Sequence, residues 1–504
     1  MQPLLAITGI LTRASEAKEK TEEAQEKEGL ELAVTSSQME DVNTLEITEE
    51  KLSNAIKQQF GNNKDFSITD NGDGSFLVNM NDTQRIYYID ETGEIIDQSK
   101  ILKISTADEL KAFRDNVNSG NTYEGWYVYL ANDITLDSSE EWEPIGLYPN
   151  DSPTPDSVNN KPFSGIFDGC NHKIDGIYIN TTNKVQGLFG IVNNGKISNL
   201  EIGENCNING GIGVAGLVGY IYNCSIINNC YNKANINGSG NNDGGVVGIA
   251  YTNCNIINVY NIGNIETTGD MSGGIVGYAD NNVSIQNSYN TGIINGGSDV
   301  GGIVGHSGRS ILIESCYNAE NITGKTQVGG ITGNLTELSE KTMIDQCYNT
   351  GNIKATDKNL SGNSNVGGIV GINAGNITNC YNTGIITGEY NNIGGLIGLN
   401  RGTLKNGYNI GNVNGLVETM GGIVGNNNEF YYEEYNVTYN GKVYNSYSLE
   451  GVAEKLIGTN NSIIGNECSL KTNSELQNLY TTLGDSFKID KNTINKGYPI
   501  LQWQ

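Results

Sequence analysis

A short apolar pattern recurs at regular intervals through the middle of the chain. Nine times between residues 187 and 425, two apolar residues, or an apolar residue and a threonine, stand between two glycines. The first glycines of these tetrads are 27–29 residues apart, except for one interval of 38. Nine phased copies predict a repeat architecture in which each copy is one structural unit. The tetrad glycines, which we predict to be structural, are Gly187, Gly190, Gly216, Gly219, Gly245, Gly248, Gly274, Gly277, Gly302, Gly305, Gly330, Gly333, Gly368, Gly371, Gly395, Gly398, Gly422 and Gly425.

A second pattern, Tyr-Asn, follows seven of the tetrads, for example in CYNTGNI at 347–353. Each unit also contains short Ile/Val-rich runs separated by Gly and Asn, which are poor helix formers. Leucine-rich repeats would need a leucine framework, and propeller blades would need about 40 residues or more. The repeated tyrosines are Tyr231, Tyr260, Tyr289, Tyr317, Tyr348, Tyr381 and Tyr408.

The architecture that remains is all-β: a right-handed parallel β-helix, with one coil per repeat, about nine to eleven coils and helical caps. Ile and Val would fill its interior. Glycine would form the corners through positive φ and close approach, and Asn through the left-handed conformation and amide stacking. No proline occurs between residues 163 and 498, which favours a continuous sheet because each proline removes a ladder donor.

The two ends of the repeat zone carry helical patterns that predict caps. Residues 106–118 predict a helix with Thr106 or Ser105 as the candidate N-cap and an apolar face that includes Phe113. We expect this helix to plug the first coil, because an open end would expose unpaired backbone groups. Residues 474–487 are expected to cover the other end, and residues 148–162 to form a proline-punctuated loop.

The first hundred residues follow different periodicities. Residues 12–33 predict a charged helix, and residues 47–60 predict a second helix with one apolar face. The runs DFSIT, SFLVNM and RIYYID then predict a three-strand antiparallel meander, because turn signals separate them. The predicted domains are a small α+β head at 1–100, an entry cap and first coils at 101–186, the repeat β-helix at 187–426, and the last coils with a C-terminal cap at 427–504.

Charge and cysteine usage restrict the function. The net charge of −27 argues against binding to nucleic acid, which requires a basic face, and to anionic membranes. At one repeat position cysteine is replaced by Val259, Ser288 or Gly407. This interchange predicts small buried residues rather than metal ligands or disulfide partners. The cysteines at that position are Cys230, Cys316, Cys347 and Cys380.

The tetrads resemble the GLUG motif, named for Gly-Leu-hydrophobic-Gly, of bacterial secreted and surface proteins. The resemblance extends from about residue 100 to the end of the chain. FSGIFDGCNHKIDGIYI at 163–179 is similar to the entry coil of such domains, and INKGYPILQW at 494–503 to their terminal segment. The resemblance implies a β-helix outside the cell, as in adhesin-like proteins and in IgA-specific metallopeptidases. The HExxH motif of the peptidase is absent from this sequence.

The stretch at 9–34 is similar to the region that follows the membrane helix in type IV pilin-like surface proteins of Firmicutes. The sequence departs from that family because only LLAITGIL at 4–11 precedes the charged helix. Eight residues give about 12 Å of helix against a bilayer core of roughly 30 Å, and the basic region of a signal peptide is missing. We expect either a truncated start or a form that is not assembled, so export is implied by the resemblance alone.

No catalytic, cofactor or metal site is predicted. The only two histidines, His172 and His306, are far apart in the sequence, and His306 is expected at the surface. DNGDG at 70–74 predicts a hairpin turn rather than a calcium loop. A β-helix polysaccharide lyase or glycoside hydrolase would need clustered carboxylates, or Arg or Lys with Ca²⁺, on adjacent coils. The repeat-zone acids are scattered over differing repeat positions, and none has an arginine at the same position of a neighbouring coil: Asp243, Asp270, Asp280, Asp299, Asp345 and Asp357.

The tyrosine column is the candidate binding feature. If the rings point outward they form an aromatic strip suited to sugar rings, and if they point inward they stabilise the coils; the sequence leaves both open. The stretches 334–342 and 355–365 are longer than their counterparts. Together with the 148–162 loop, they are expected to contact a partner.

The sequence therefore predicts a bacterial cell-surface or secreted adhesin-like protein for binding and display, and not an enzyme. The expected partner is a glycan or a surface protein of a host or neighbouring cell. One alternative is a minor pilin or pseudopilin-like component that carries a β-helix and contacts pilus or pseudopilus components. The other is a β-helix polysaccharide lyase or glycoside hydrolase.

Overall fold

A computed structural model of the chain contains two compact units. They comprise Met1–Leu102 with Gly125–Val128, and Lys103–Glu124 with Tyr129–Gln504. Among the described residues, no helix is both long enough and apolar enough to cross a membrane. The structure describes residues 2–39, 47–70, 76–90, 92–149, 157–337, 341–357, 364–389, 392–416, 419–432, 437–465 and 467–504.

The first unit packs two helices, Gln2–Met39 and Glu49–Phe60, with a four-stranded antiparallel sheet. The second helix begins after Thr48, whose hydroxyl accepts a hydrogen bond from the backbone N–H of Lys51. The antiparallel sheet has one more strand than the predicted meander, because the short run at 95–97 pairs with the third strand. The strands are Phe66–Asp70, Phe76–Met80, Arg85–Ile89 and Ile95–Asp97, followed by the 3₁₀ turn Gln98–Lys100.

A helix closes the start of the second unit, as predicted. It spans Ala107–Asn118, and the Thr106 hydroxyl caps it by accepting from the backbone N–H of Glu109. Phe113 packs edge-on to Phe163, with ring centroids 5.7 Å apart. The strands before the first complete coils are Ile101–Ile104, Tyr127–Leu130, Ile134–Thr135, Ile166–Asp175 and Tyr178–Asn180.

The rest of this unit is a parallel β-helix of about 11 turns. The first sheet begins inside the tetrads and contains ten parallel strands. They are Phe189–Asn193, Val218–Tyr222, Val247–Tyr251, Val276–Asp280, Val304–Ser307, Thr332–Leu335, Val370–Asn373, Ile397–Asn400, Val424–Asn427 and Ile457–Asn460.

The second sheet has two consecutive strand positions in most coils, separated by a bend. The strands before the bend are Lys196–Ile202, Ile226–Asn232, Asn255–Ile257, Val283–Gln286, Ile311–Glu314, Met343–Asp345, Asn376–Thr378, Thr403–Lys405, Lys442–Tyr444 and Ile463–Ile464. The strands after the bend are Tyr260–Asn261, Tyr289–Asn290, Tyr317–Asn318, Tyr348–Asn349, Tyr381–Asn382, Tyr408–Asn409, Tyr447–Leu449 and Ser469–Lys471. In the two coils with longer strands, Lys196–Ile202 and Ile226–Asn232, one strand spans both positions.

Two further sheets complete the coils. The third sheet runs from Tyr178–Asn180 through Asn207–Gly210, Asn235–Gly238, Ile265–Thr267, Ile294–Asn295, Ile322–Gly324, Ile353–Ala355, Ile386–Thr387 and Val413–Asn414. The fourth contains Asp243–Gly244, Ser272–Gly273, Val300–Gly301, Gln327–Gly329, Asn365–Gly367, Asn392–Gly394 and Met420–Gly421. Outside the coils lie the hairpin Glu429–Tyr432 with Val437–Asn440, the helices Asn473–Gln477 and Tyr480–Leu483, and the pair Phe487–Lys488 with Ile500–Leu501.

Aliphatic residues in register form the core of the helix. In the second sheet one such residue per coil stacks on the next, as Ile285 does on Ile313. All of them are fully buried, because alternate strand residues point inward. The predicted Ile/Val interior is confirmed. The members of this row are Ile256, Ile285, Ile313, Ile344, Ile377 and Leu404.

The tetrad glycines serve close approach and not positive φ, so that part of the expectation is wrong. None of them is among the glycines with positive φ. A Cβ on Gly302 would instead lie 2.2 Å from the carbonyl oxygen of Gly330 on the next coil. The left-handed conformation occurs two residues before each repeated tyrosine, with φ between 41° and 55°. The residues there are Asn229, Asn258, Asn287, Ser315, Gln346, Asn379, Asn406 and Asn445.

Candidate functional site

The asparagine of each Tyr-Asn pair fixes the orientation of the tyrosine. Asn290 is fully buried, and its Nδ2 donates to Oδ1 of Asn318 on the next coil at 2.8 Å and to the carbonyl of Gly292. The same inter-coil bond, at 2.7–2.8 Å, links all the asparagines from Asn232 to Asn409. Because neighbouring residues of a strand point to opposite faces, this inward ladder turns the tyrosines outward.

The residue before each tyrosine stabilises the bend between the two strand positions of the second sheet. The Cys380 thiol donates to the carbonyl of Thr378 at 3.0 Å, and the Ser288 hydroxyl donates to that of Gln286 at 2.8 Å. Cysteine and serine are interchangeable because either side chain is small and reaches this carbonyl. Burial raises the pKa of Cys230 to about 12, so this thiol is neutral and unreactive. All nine cysteines are free, and the four at the repeat position are buried, as predicted for them.

The seven outward tyrosines form what we call the tyrosine strip, from Tyr231 to Tyr408. Successive ring centroids are 4.1–5.0 Å apart. The planes of the last three ring pairs differ by only 3–6°. Stacked rings cover one another's faces, so the strip presents mainly ring edges and hydroxyl groups to the outside. This geometry is unfavourable for the sugar stacking that the sequence suggested, because such stacking needs free ring faces.

The C-terminal residues 473–504, which we call the cover, lie along the side of the strip, although the sequence predicted an end cap. Tyr408 is fully buried; its hydroxyl donates to the Pro499 carbonyl and accepts from Asn495 Nδ2 at 2.7 Å. Tyr381 is 1% exposed and its hydroxyl bonds to the side chain of Gln504. Burial raises the pKa of Tyr408 far above its usual value. The apolar residues of the cover that pack on these rings are Leu476, Leu479, Leu483, Phe487, Tyr498 and Leu501.

Trp503 marks the edge of the cover. Its ring lies 5.6 Å from that of Tyr348 and 6.3 Å from that of Tyr317, and its Nε1 donates to the Gln346 carbonyl at 3.1 Å. Tyr317 lies at this edge, and Tyr289, Tyr260 and Tyr231 lie beyond it. All four are only half-buried, and we call these four residues the exposed strip. Here burial is milder, and it raises the pKa of Tyr317 to about 12.

The repeat-zone acids do not converge, and as expected no arginine stands opposite Asp280, because the pairing of Ala279 with Ser307 places Gly308 there. Asp280 pairs with Arg309 of the neighbouring coil, whose Nη2 and Nε lie 2.8 and 3.2 Å from the carboxylate. Burial favours a raised pKa for Asp280, but the bonds from Arg309 outweigh it and the pKa is lowered. His306, expected at the surface, is partly exposed (17% of its side chain), and its Nδ1 lies 2.7 Å from Asp299 Oδ2. A cation one repeat after an acid was the available signal for the first pair.

Asp243 is the acid most strongly affected by its surroundings. It is fully buried and accepts hydrogen bonds from the Thr267 hydroxyl at 2.7 Å and the Val214 backbone N–H at 3.1 Å. Burial raises its pKa to about 7. Its counterparts on the following coils are Ser272 and Val300, so the acid is specific to one coil.

A cleft that sequence reasoning missed lies near the entry coils. It encloses about 450 Å³ and its lining includes Trp142, Tyr148 and Gln186. The aromatic-rich run EWEPIGLYP was the available signal. Within the described ranges, no group of three His, Cys, Asp or Glu side chains could hold a metal ion.

The predicted contact loops lie partly outside the described residues. Positions 150–156, 338–340 and 358–363, which contain the centres of all three loops, are not described, and neither is 71–74 of the DNGDG turn. The loops therefore remain sequence predictions.

Comparisons with known proteins match one unit of the repeat to a family model and the chain to two solved structures. The family model described as the GLUG motif matches residues 362–387, and no curated protein matches the chain. A solved structure of a candidate immunoglobulin A1 protease from Bacteroides ovatus is similar, with 20% identity and a TM-score of 0.37 over 81% of this chain and 94% of that one. An IgA1 protease structure is similar with 16% identity and a TM-score of 0.30, over 77% of this chain and 25% of that longer chain.

The names of these two structures contradict the prediction that the chain is not an enzyme. Both are described as IgA1 proteases, so that prediction is withdrawn. Scores at this level transfer no activity to this chain.

Proposed function

Since the chain is a GLUG-repeat protein built as a parallel β-helix, we propose that it is an extracellular protein for binding and display, secreted or held at a bacterial cell surface. The β-helix acts as a scaffold, and the exposed strip is the surface that contacts the partner. The observation that carries this proposal is the contrast within the strip. Tyr381 and Tyr408 are buried by the cover, whereas Tyr260 and Tyr289 remain accessible.

The exposed strip is suited to binding because its side chains are already ordered. Each ring is held by its neighbours at 4.1–4.9 Å and by the buried asparagine beside it. A partner that binds ordered side chains loses less conformational entropy than one that must order them.

A second candidate function is that of a minor pilin or pseudopilin-like component. It is favoured by the helix Gln2–Met39, which precedes a four-stranded antiparallel sheet in the first unit. Cross-linking in the native cells tests it: we expect covalent adducts with pilus or pseudopilus subunits, and their absence from cells that assemble such fibres contradicts this candidate.

Location and binding are tested separately. Antibodies against the β-helix should label intact producing cells or detect the protein in the medium. Detection only after cell lysis would contradict the proposal. Beads coated with the full chain should adhere to members of a panel of immobilised extracellular glycans and matrix proteins. Beads carrying the Tyr260→Ala, Tyr289→Ala variant should adhere less; unchanged adhesion would exclude the exposed strip as the contact.

A further inference from the structure

The exposed strip repeats a surface that already holds a polypeptide a few coils further along. We infer that it binds a basic, aromatic segment of another protein. This inference rests on the proposed function in one respect, namely that the exposed strip is the contact surface, and it adds the chemistry of the partner.

The cover shows which chemistry the strip accommodates. The cover carries three lysines and three acidic residues, so it has no net charge, together with Phe487, Tyr498 and Trp503. Aromatic and aliphatic side chains of the cover pack on Tyr381 and Tyr408. Main-chain and amide groups satisfy the tyrosine hydroxyls, as the Pro499 carbonyl does for Tyr408. The strip therefore binds polypeptide through ring edges and hydroxyls, the groups that stacking leaves free.

The exposed part has the same construction, and Trp503 at its Tyr317 end is the one cover residue with a described ring contact to it. Two residues after the tyrosine, Ile410 and Leu449 pack against the cover. Ile262 stands at the same repeat position after Tyr260 and is 43% exposed. The register of the tyrosines is continuous from Tyr231 to Tyr447. An apolar segment seated there would bury Ile262 as the cover buries its counterparts.

Acidic side chains beside the strip define the charge of the partner. Glu314 and Asp345 are neighbours on adjacent strands of the second sheet, three residues before Tyr317 and Tyr348. Their hydrogen bonds come from neutral groups, namely the side chain of Gln286 for Glu314, and those of Thr378 and Asn379 for Asp345. No lysine or arginine in the described part of the chain forms an ion pair with either carboxylate. A lysine or arginine of the partner would complete this pair of acids.

Two other occupants fit the surface less well. A second copy of the chain carries the same net charge of −27, so like charges oppose its approach, and its own cover already occupies its own strip. A neutral sugar would need free ring faces, which stacking removes between Tyr260, Tyr289 and Tyr317, whose successive planes differ by 19–23°. The surface is therefore assigned to a segment of a different protein.

A peptide with the sequence of residues 486–504 is the probe. Labelled with a fluorophore and titrated with the full chain, it should bind saturably in anisotropy measurements. The Tyr260→Ala, Tyr289→Ala variant should bind it at least tenfold more weakly, and Glu314→Gln with Asp345→Asn about threefold to tenfold more weakly. Tyr431→Ala removes a tyrosine that is 52% exposed in a separate hairpin and should bind as the parent does. Thermal unfolding and near-UV circular dichroism confirm that each variant is folded.

Four results would overturn the inference. The first two are the absence of saturable binding and equal binding by the folded Tyr260→Ala, Tyr289→Ala variant, which would mean that the peptide exchanges with the cover. The third is competition by neutral oligosaccharides. The fourth is a dimer of the parent chain in analytical ultracentrifugation that this variant does not form. If the peptide does not bind while antibodies label intact cells and bead adhesion depends on the exposed strip, only the proposed class of partner is contradicted. Failure of the labelling contradicts the proposed function itself.

Discussion

The covered and exposed parts of the tyrosine strip are built from the same repeated residues but have different surroundings. In both parts the asparagine is buried and bonded to the next coil, and the tyrosine points outward. Tyr408 is fully buried and Tyr289 is not. The difference comes entirely from the cover, a segment remote in sequence. A repeat thus determines the inside of its own coil, whereas the environment of its outer face depends on what packs there.

The prediction with the largest expected effect concerns the interior of the coils, which should be the same behind the covered and the exposed parts of the strip. A Cβ on Gly395 would lie 2.0 Å from the Gly422 carbonyl oxygen, much as one on Gly302 would clash with Gly330. We expect Gly302→Val and Gly395→Val to lower the free energy of unfolding by similar amounts, each more than about 4 kcal/mol, because coils cannot separate locally. Urea unfolding measures this, with Thr323→Val in the third sheet as control. Unchanged stability of Gly302→Val would contradict close approach, and a large difference between the two variants would contradict the shared interior.

The next prediction addresses the outer face directly. Tyr408→Ala should lower the free energy of unfolding by about 3–5 kcal/mol, because it empties a packed site. Tyr289→Ala should lower it by about 1 kcal/mol, since the lost ring is partly in solvent. The comparison uses urea unfolding of the full chain. Equal losses would mean that the cover does not distinguish the two parts in solution.

The third prediction concerns one coil that departs from the others. The folded-state pKa of Asp243 is about 7 against an ordinary value of 3.8, so the folded chain retains a proton that the unfolded chain releases. Stability should therefore fall as pH rises from about 4 to about 7, by about 2–4 kcal/mol from this group, and level off above. Asp243→Asn should remove this contribution, and the exposed Glu266→Gln should not. Parallel pH profiles of Asp243→Asn and the parent would contradict the assignment.

The smallest effect is spectroscopic. Burial raises the pKa of Tyr260 moderately and that of Tyr408 far more. In alkaline titrations followed by tyrosinate absorbance, the signal lost in Tyr260→Phe should belong to a lower pH than the signal lost in Tyr408→Phe. The reverse order would show that the cover leaves the strip in solution.

The fold of the repeat zone could be predicted from the sequence alone. The tetrad spacing and the Tyr-Asn pattern predicted a parallel β-helix because each coil must place the same residue types at the same corners. The helix at 107–118 was predicted from its cap and its apolar face. The fourth strand of the first unit was missed because Ile95–Asp97 is too short for a periodic signal.

By itself, the sequence determined everything that repeats: the coil length, the aliphatic interior, the buried position of the four repeated cysteines and the need for glycine at the tetrads. These follow from local spacing, since neighbouring coils impose identical contacts. Only the tertiary structure decided that the tetrad glycines serve close approach rather than positive φ, because that depends on the distance to the next backbone. Only the tertiary structure decided that Asp280 pairs with Arg309, because this pair occurs in a single coil and no repeat predicts it. Only the tertiary structure decided that the cover lies on Tyr348–Tyr447, because the cover is remote in sequence and is not part of a repeat.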